Sequence, residues 1–128
     1  MFEHDEREIA MAGDLLTSAC HSASIQGGWW HDINTGEPIT PNVPEKLCLI
    51  HSEISEALEG YRKDLMDDHL RLRKMTEVEL ADAVIRIFDL AGKLGYDLGG
   101  AIAEKITYNL SRADHKPENR RKAGGKKI

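Results

Sequence analysis

Two pairs of carboxylates offer the clearest chemistry in this sequence. Glu53 and Glu56 form one pair, Glu79 and Asp82 form the other, and each pair spans three positions in a strongly helical stretch. Residues at i and i+3 share a helix face, with Cβ atoms about 5–6 Å apart. Two such helices side by side could bring four carboxylates to one point, where they repel one another unless a cation lies between them. Oxygen ligands alone favour Mg²⁺ or Mn²⁺, and phosphate chemistry is the usual reason to hold such an ion.

Either pair alone is weak evidence, because solvated helix faces often carry acidic residues at this spacing. A di-iron or di-manganese carboxylate site would need Glu-x-x-His on two helices, and no helix here shows that pattern. His51 points well away from Glu53, so we interpret it as a surface or partner-facing histidine. Glu79 also has a second interpretation, as the capping-box partner of Thr76 at the start of its helix.

The apolar periodicity predicts four helices that position these side chains. In the second helix an apolar stripe recurs at helical spacing and predicts its core face, and the third helix is apolar nearly all round, as a buried helix is. We therefore expect an all-α fold of the four-helix-bundle type, with residues 1–113 as the helical domain and 114–128 as a basic tail. The predicted helices cover about residues 5–25, 44–63, 76–94 and 98–113, and the stripe is Leu47, Ile50, Ile54, Leu58 and Tyr61.

Length and composition limit the classes of function. The 128 residues form one domain, and 5% aromatic with 30% charged residues suits helices better than a β-sandwich. A net charge of −5 argues against general nucleic-acid binding. Cys20 and Cys48 lack motif spacing, and no apolar run approaches about 18 residues. We expect free thiols in a soluble, cytoplasmic protein that binds neither membranes nor specific nucleic acids.

The last predicted helix carries a polar face of Lys105, Asn109 and Arg112, at i, i+4 and i+7. One interpretation is a solvated basic edge near a helix C-terminus, where cations are favoured. The other is a polyphosphate clamp of two cations and an amide opposite a metal cluster. The spacing does not favour either.

The loop over residues 27–44 contains Trp29 and Trp30, the two tryptophans of the chain. Adjacent residues cannot easily both enter one core, so one ring could pack while the other stacks on a nucleobase. The alternative is that both indoles belong to the core or to an interface.

The C-terminal segment is strongly basic. From Lys116 to Ile128 it has six basic residues and one acidic residue, Glu118. It is typical of a mobile, solubilising end. The Gly124-Gly125 hinge would also allow Lys126 and Lys127 to fold over a phosphate.

Four blocks, in this order, resemble the MazG-like, all-α nucleotide pyrophosphohydrolases, which are related to the dimeric dUTPases and dCTP pyrophosphatases. Together they cover roughly residues 44–128. The family often has a histidine just before the terminal glycines, whereas this chain has Ala123 there and its nearest histidine, His115, lies outside the motif. The blocks are Lys46-Leu-x-Leu-Ile-x-Ser-Glu53-Ile-Ser-Glu56-Ala-Leu-Glu59, Glu79-Leu-Ala-Asp82-Ala-Val, Lys105-Ile-x-Tyr-Asn109-x-x-Arg112 and Gly124-Gly-Lys-Lys-Ile.

The resemblance implies Mg²⁺-dependent hydrolysis of a nucleoside triphosphate to its monophosphate and pyrophosphate, in nucleotide-pool control or house-cleaning. It implies that Glu53, Glu56, Glu79 and Asp82 hold the ion. The mechanism it suggests has Glu53 deprotonate the attacking water, while Lys105 and Arg112, with Lys126 or Lys127, steady the leaving pyrophosphate.

The resemblance and the nearly all-apolar third helix both favour a homodimer or homotetramer. The alternative function is a catalytically silent nucleotide sensor or helical interaction module. Four retained carboxylates weigh against it, because a protein without the metal has no use for such repulsion.

Overall fold

A computed structural model describes residues 2–128, and this part of the chain is helical. The all-α class predicted from the sequence is confirmed. Residues 2–128 contain no named strand and only two isolated β-bridges, His31 with Pro38 and Met66 with Lys74. Within these residues, no helix combines the length and apolarity needed to cross a membrane. The helices are α1 (Glu6–Gln26), α2 (Val43–Arg62), α3 (Met75–Leu94), α4 (Leu98–Ser111) and α5 (Pro117–Arg120), with a 3-10 turn at Ala113–His115.

Local side-chain chemistry explains where the helices around the carboxylates begin and end. The Asn42 side chain accepts a hydrogen bond from Glu45 N (3.2 Å) and caps α2, whose first turn contains Pro44. Gly95 ends α3 at φ 70°, a left-handed conformation that glycine adopts without steric cost. Asp97 then accepts a hydrogen bond from Gly100 N (2.9 Å) and caps α4, a role that aspartate favours at helix N-termini.

The capping-box interpretation of Thr76 and Glu79 is wrong. The N-cap residue of α3 is Lys74, which makes no side-chain capping bond, so Thr76 already lies inside the helix. Its Oγ1 donates instead to the Ala57 carbonyl of α2 at 3.4 Å. Glu79 therefore has no role at the helix N-terminus.

The chain divides into two compact units, and α1 contributes to both. The first unit contains residues up to 15 together with 97–128, so the predicted boundary between residues 113 and 114 falls inside it. There α1 closely approaches α4, because a Cβ on Gly13 would collide with the backbone of Gly99. Thr107 Oγ1 also donates to Glu6 Oε2 at 3.0 Å.

The second unit, residues 16–96, contains α2 packed against α3. The α2 face that meets α3 carries Glu53, Ala57 and Gly60, spaced four and three residues apart, and all three are buried. Gly60 leaves room only for the Met75 side chain, and Ala83 is 2% exposed on the α3 side. These small residues let the two backbones approach closely, which brings Glu53 to the interface.

The apolar stripe that we predicted as the core face of α2 is not buried in this chain. Leu47, Ile54, Leu58 and Tyr61 are 49–75% exposed, and Ile50 is half-buried. The reason is geometric. Because α2 meets α3 through the face of Glu53, the stripe points elsewhere, and residues 2–128 leave about half or more of each of these four side chains exposed. On α3, Leu80 and Val84 are also about half exposed.

Candidate metal centre

Three carboxylates from α2 and α3 come together in the second unit. Glu53, Glu56 and Glu79 each have an oxygen within 4.8 Å of an oxygen of the other two. Glu53 is 9% exposed at the helix interface, whereas Glu56 is exposed. We call these three residues the carboxylate cluster. Packing of α2 on α3 thus joins one member of the second sequence pair to both members of the first.

Asp82 lies beside the cluster and is not one of the three residues that meet the 4.8 Å limit. It lines the same cavity as Glu53. Burial raises the pKa of Asp82, and the negative charge of Glu53 raises it further. The carboxyl group of Asp82 therefore interacts electrostatically with Glu53 of the cluster, although it lies one turn further along α3 than Glu79.

Glu79 is the member of the cluster whose negative charge is least well compensated. Its Oε2 is buried and has no hydrogen-bond partner in residues 2–128. Burial, followed by interaction with Glu53 and Glu56, raises the pKa of Glu79 to about 8. A buried, unpartnered carboxylate oxygen is rare in folded proteins and needs an explanation such as a proton or an ion. The all-oxygen donor set fits a hard divalent cation.

Arg86 compensates part of the negative charge. Its Nε donates a hydrogen bond of 2.8 Å to Glu53 Oε1. Burial acts to raise the pKa of Glu53, but the hydrogen bond and charge of Arg86, with contributions from Glu79 and Glu56, outweigh it, and the pKa is lowered. Glu53 therefore stays ionised while its neighbour Glu79 favours the protonated form.

Arg86 was not among the residues predicted for the site from the sequence. The signal was its spacing of four residues from Asp82 and seven from Glu79, which places all three on one face of α3. That face is a narrow polar stripe on a mainly apolar helix, but the partner of the arginine lies on another helix.

A cavity of about 450 Å³ opens beside the cluster in the second unit, a size typical of small-ligand sites. Its wall combines both signs of charge with one indole ring. Phosphate groups and a cation would therefore both find partners in it. The lining residues include Trp29, Lys46, Glu53, Asp82, Arg86 and Asp89.

The structure separates the two adjacent tryptophans. Trp30 is 2% exposed, and its Nε1 donates to Asp89 Oδ1 at 2.9 Å, the same oxygen that lies 2.9 Å from His21 Nδ1. Lys46 Nζ lies 4.7 Å from the centre of the Trp30 ring. Trp29 is 73% exposed and lines the cavity. Its ring, unlike that of Trp30, is therefore accessible to a planar ligand.

The predicted phosphate-binding residues of α4 belong to the first unit, whereas the carboxylate cluster belongs to the second. Arg112 donates two hydrogen bonds to Asp114, at 3.0 and 2.7 Å. Lys105 Nζ lies 4.7 Å from the centre of the Tyr108 ring, and Asn109 Oδ1 is buried without a partner in residues 2–128. These contacts show that Arg112 already has an anionic partner within its own unit.

The C-terminal segment forms a hydrogen-bonded turn. Arg120 donates to the carbonyls of Lys126 (3.0 Å) and Lys127 (2.9 Å), and Lys127 Nζ donates to the Arg120 carbonyl (2.6 Å). Lys126 lines a smaller pocket with His115 and Arg120. The ammonium of Lys127 is therefore occupied by backbone carbonyls in this structure.

Two further expectations are met at the surface. His51 is exposed and is not a member of the carboxylate cluster. Cys20 and Cys48 are free thiols.

No family model matches this chain, and neither a curated protein nor a solved structure is significantly similar to it.

The raised pKa of Glu79 predicts that the stability of the metal-free protein depends on pH. The pKa of Glu79 is about 8 in the fold against an ordinary value of 4.5, so the folded state keeps a proton that the unfolded chain releases. Stability therefore falls as pH rises from about 4.5 to about 8. In Glu79→Gln this dependence should flatten, and at pH 8 the variant should melt about 2–8 °C higher. Thermal melts in EDTA between pH 5 and 8 test this.

Glu77→Gln is the matched control, because Glu77 is exposed on the same helix and pairs with Arg73. It should keep the wild-type slope. An unchanged slope in Glu79→Gln would show that Glu79 is not the titrating group.

Proposed function

We propose that the chain is a Mg²⁺-dependent nucleoside triphosphate pyrophosphohydrolase that converts an NTP or dNTP to its monophosphate and pyrophosphate. One observation carries the proposal. Two helices bring three carboxylates within 4.8 Å of one another, and one of these groups has a buried, unpartnered oxygen. The cluster borders a cavity that also contains Lys46 and Arg86.

The metal ligands in this proposal are Glu53, Glu56 and Glu79, with Asp82 as the adjacent carboxylate. Mn²⁺ is the alternative ion for the same oxygen donors. A bound Mg²⁺ would supply positive charge to neutralise the phosphate chain of the substrate.

Glu53 is the proposed general base. Despite burial, the hydrogen bond from Arg86 lowers its pKa, so the carboxylate is ionised, which is the form that accepts a proton. The lowered pKa also makes it a weaker base than an ordinary glutamate. Lys105, Asn109 and Arg112 remain proposed phosphate ligands, together with Lys126 or Lys127. This part of the proposal is supported by the resemblance of the sequence blocks to MazG-like pyrophosphohydrolases.

A catalytically silent sensor or interaction module is the second candidate, and the exposed apolar stripe of α2 favours it. A binding module would present such a surface and would release no pyrophosphate. Turnover therefore distinguishes the two candidates.

The first test is pyrophosphate release from a panel of canonical and damaged nucleoside triphosphates, with Mg²⁺ and with EDTA. We expect Mg²⁺-dependent release of pyrophosphate rather than of phosphate. Glu53→Gln should lower kcat by about 10²–10⁴-fold, the usual contribution of a general base. Asp82→Asn should lower activity by about 10–100-fold, as expected for a group that supports a metal site.

Glu59→Gln is the matched control, since Glu59 lies on α2 but pairs with Lys63 at the surface. It should retain wild-type activity. Full activity in Glu53→Gln would refute the assignment of the base, and no turnover of any triphosphate would favour the silent module.

The position of Trp29 on the cavity generates a second prediction. An indole that stacks on a nucleobase contributes about 1–3 kcal/mol, so Trp29→Ala should raise KM about 10–100-fold. The value of kcat should change much less. Trp29→Phe keeps an aromatic face and should retain most of the affinity.

Trp30→Ala should behave differently, because this ring is buried. We expect a loss of about 3–5 kcal/mol of stability, as for other buried aromatic truncations. Steady-state kinetics and thermal melts on the same preparations measure both effects. An unchanged KM in Trp29→Ala would end the stacking proposal.

We also propose that a second copy of the chain covers the exposed stripe of α2, as a homodimer or within a homotetramer. Water contact with four large apolar side chains is unfavourable, and burying each stabilises by about 1.5–3 kcal/mol. Light scattering should give a multiple of 14.3 kDa. Leu58→Asp should shift the protein toward monomer.

Ile33→Asp is the control for the assembly experiment, because Ile33 is 96% exposed in the loop and outside the stripe. It should assemble as the wild type does. A wild-type mass of 14.3 kDa at micromolar concentration would contradict the assembly.

A further inference from the structure

Arg86 is shared between the carboxylate cluster and the cavity. Its Nε is 2.8 Å from Glu53 Oε1, and its side chain is 42% exposed whereas that of Glu53 is 11% exposed. Arg86 also lines the cavity. One end of the interaction is therefore buried among anions, while the guanidinium has N–H groups left for a second partner on the open side.

The same carboxylate would have to serve both Arg86 and a metal ion. Glu53 belongs to the group of three whose oxygens lie within 4.8 Å. A divalent cation bound there would compete with the Arg86 guanidinium for the negative charge of Glu53. Metal binding would thus weaken the ion pair between Glu53 and Arg86.

We propose that Arg86 exchanges partners, pairing with Glu53 in the metal-free protein and binding the phosphate chain of the substrate once the cluster holds a divalent cation. The inference rests on the proposed function. It makes Arg86 a substrate-binding residue and couples phosphate binding to metal binding. Arginine suits the second role because its planar fork can bind two phosphate oxygens at once.

The exchange predicts opposite effects of one substitution. Without the competing guanidinium, Arg86→Gln should bind Mn²⁺ about 2–5-fold more tightly, the range expected for a partly exposed ion pair. In saturating Mg²⁺ it should bind inorganic pyrophosphate about 10–100-fold more weakly, since a charged hydrogen-bond donor is lost. If Arg86 had a purely structural role, its replacement by Gln would not strengthen Mn²⁺ binding.

Isothermal titration calorimetry with Mn²⁺, then with pyrophosphate in saturating Mg²⁺, measures both constants without turnover. Arg86→Lys keeps the positive charge but not the planar guanidinium. Its Mn²⁺ affinity should therefore return to the wild-type value, and its pyrophosphate affinity should lie between those of Arg86→Gln and the wild type. Arg73→Gln is the control, because Arg73 pairs with Glu77 at 2.8 Å in an exposed position and is not among the cavity residues. It should leave both constants unchanged.

The outcomes separate this inference from the proposed function. Wild-type protein that binds no Mn²⁺ would overturn both. If the wild-type protein binds Mn²⁺ but Arg86→Gln leaves both the Mn²⁺ and the pyrophosphate affinity unchanged, or weakens both, the partner exchange alone is overturned. Circular dichroism melts in EDTA establish that each variant is folded, and the Arg86→Lys titrations decide the question if Arg86→Gln fails to fold.

Discussion

The packing of α2 on α3 in the second unit requires that the repulsion among three carboxylates at their interface be compensated. Glu53, Glu56 and Glu79 approach within 4.8 Å, although like charges at such distances oppose folding. Two features reduce that cost in the metal-free chain. Arg86 donates to Glu53, and the raised pKa of Glu79 favours a bound proton there. One guanidinium and one proton together provide the two positive charges that a single divalent cation would bring.

Packing of α2 on α3 through small residues and Glu53 leaves the most apolar face of α2 exposed within residues 2–128. A helix selected for stability alone would pack Leu47, Ile54 and Leu58 inward, since burial of such side chains is the main stabilising term in folding. Here α2 instead turns small residues and Glu53 toward α3. Local rules of this kind are most often broken at functional sites. The orientation of α2 therefore fits both proposals, because Glu53 faces the carboxylate cluster while the apolar face is left for a second copy of the chain.

Features that depend on local sequence were predictable, whereas features that depend on which face meets which neighbour were not. The end of α3 at Gly95 and the cap at Asp97 follow from short-range chemistry, and the all-α class follows from periodicity. Periodicity defines the faces of a helix but does not identify the partner of each face, so the stripe of α2 was placed in the core. The Arg86–Glu53 pair spans 33 positions and leaves no local signal. Thr76 was a reasonable N-cap by residue type, but the helix starts earlier.

One polar face of α3 connects the separate parts of the site. Glu79, Asp82, Arg86 and Asp89 follow at spacings of three, four and three residues, and so lie along one side of a rigid helix. In order, they join the carboxylate cluster, line the cavity, neutralise Glu53 and accept the Trp30 indole N–H. Asp89 accepts a hydrogen bond from Trp30 and so anchors the loop over residues 27–44 at the position next to Trp29, which lines the cavity. In the proposed enzyme, the rise of this single helix would set the distance between a metal held by the cluster and a base stacked on Trp29, and that requirement would account for the polar face of a mainly apolar helix.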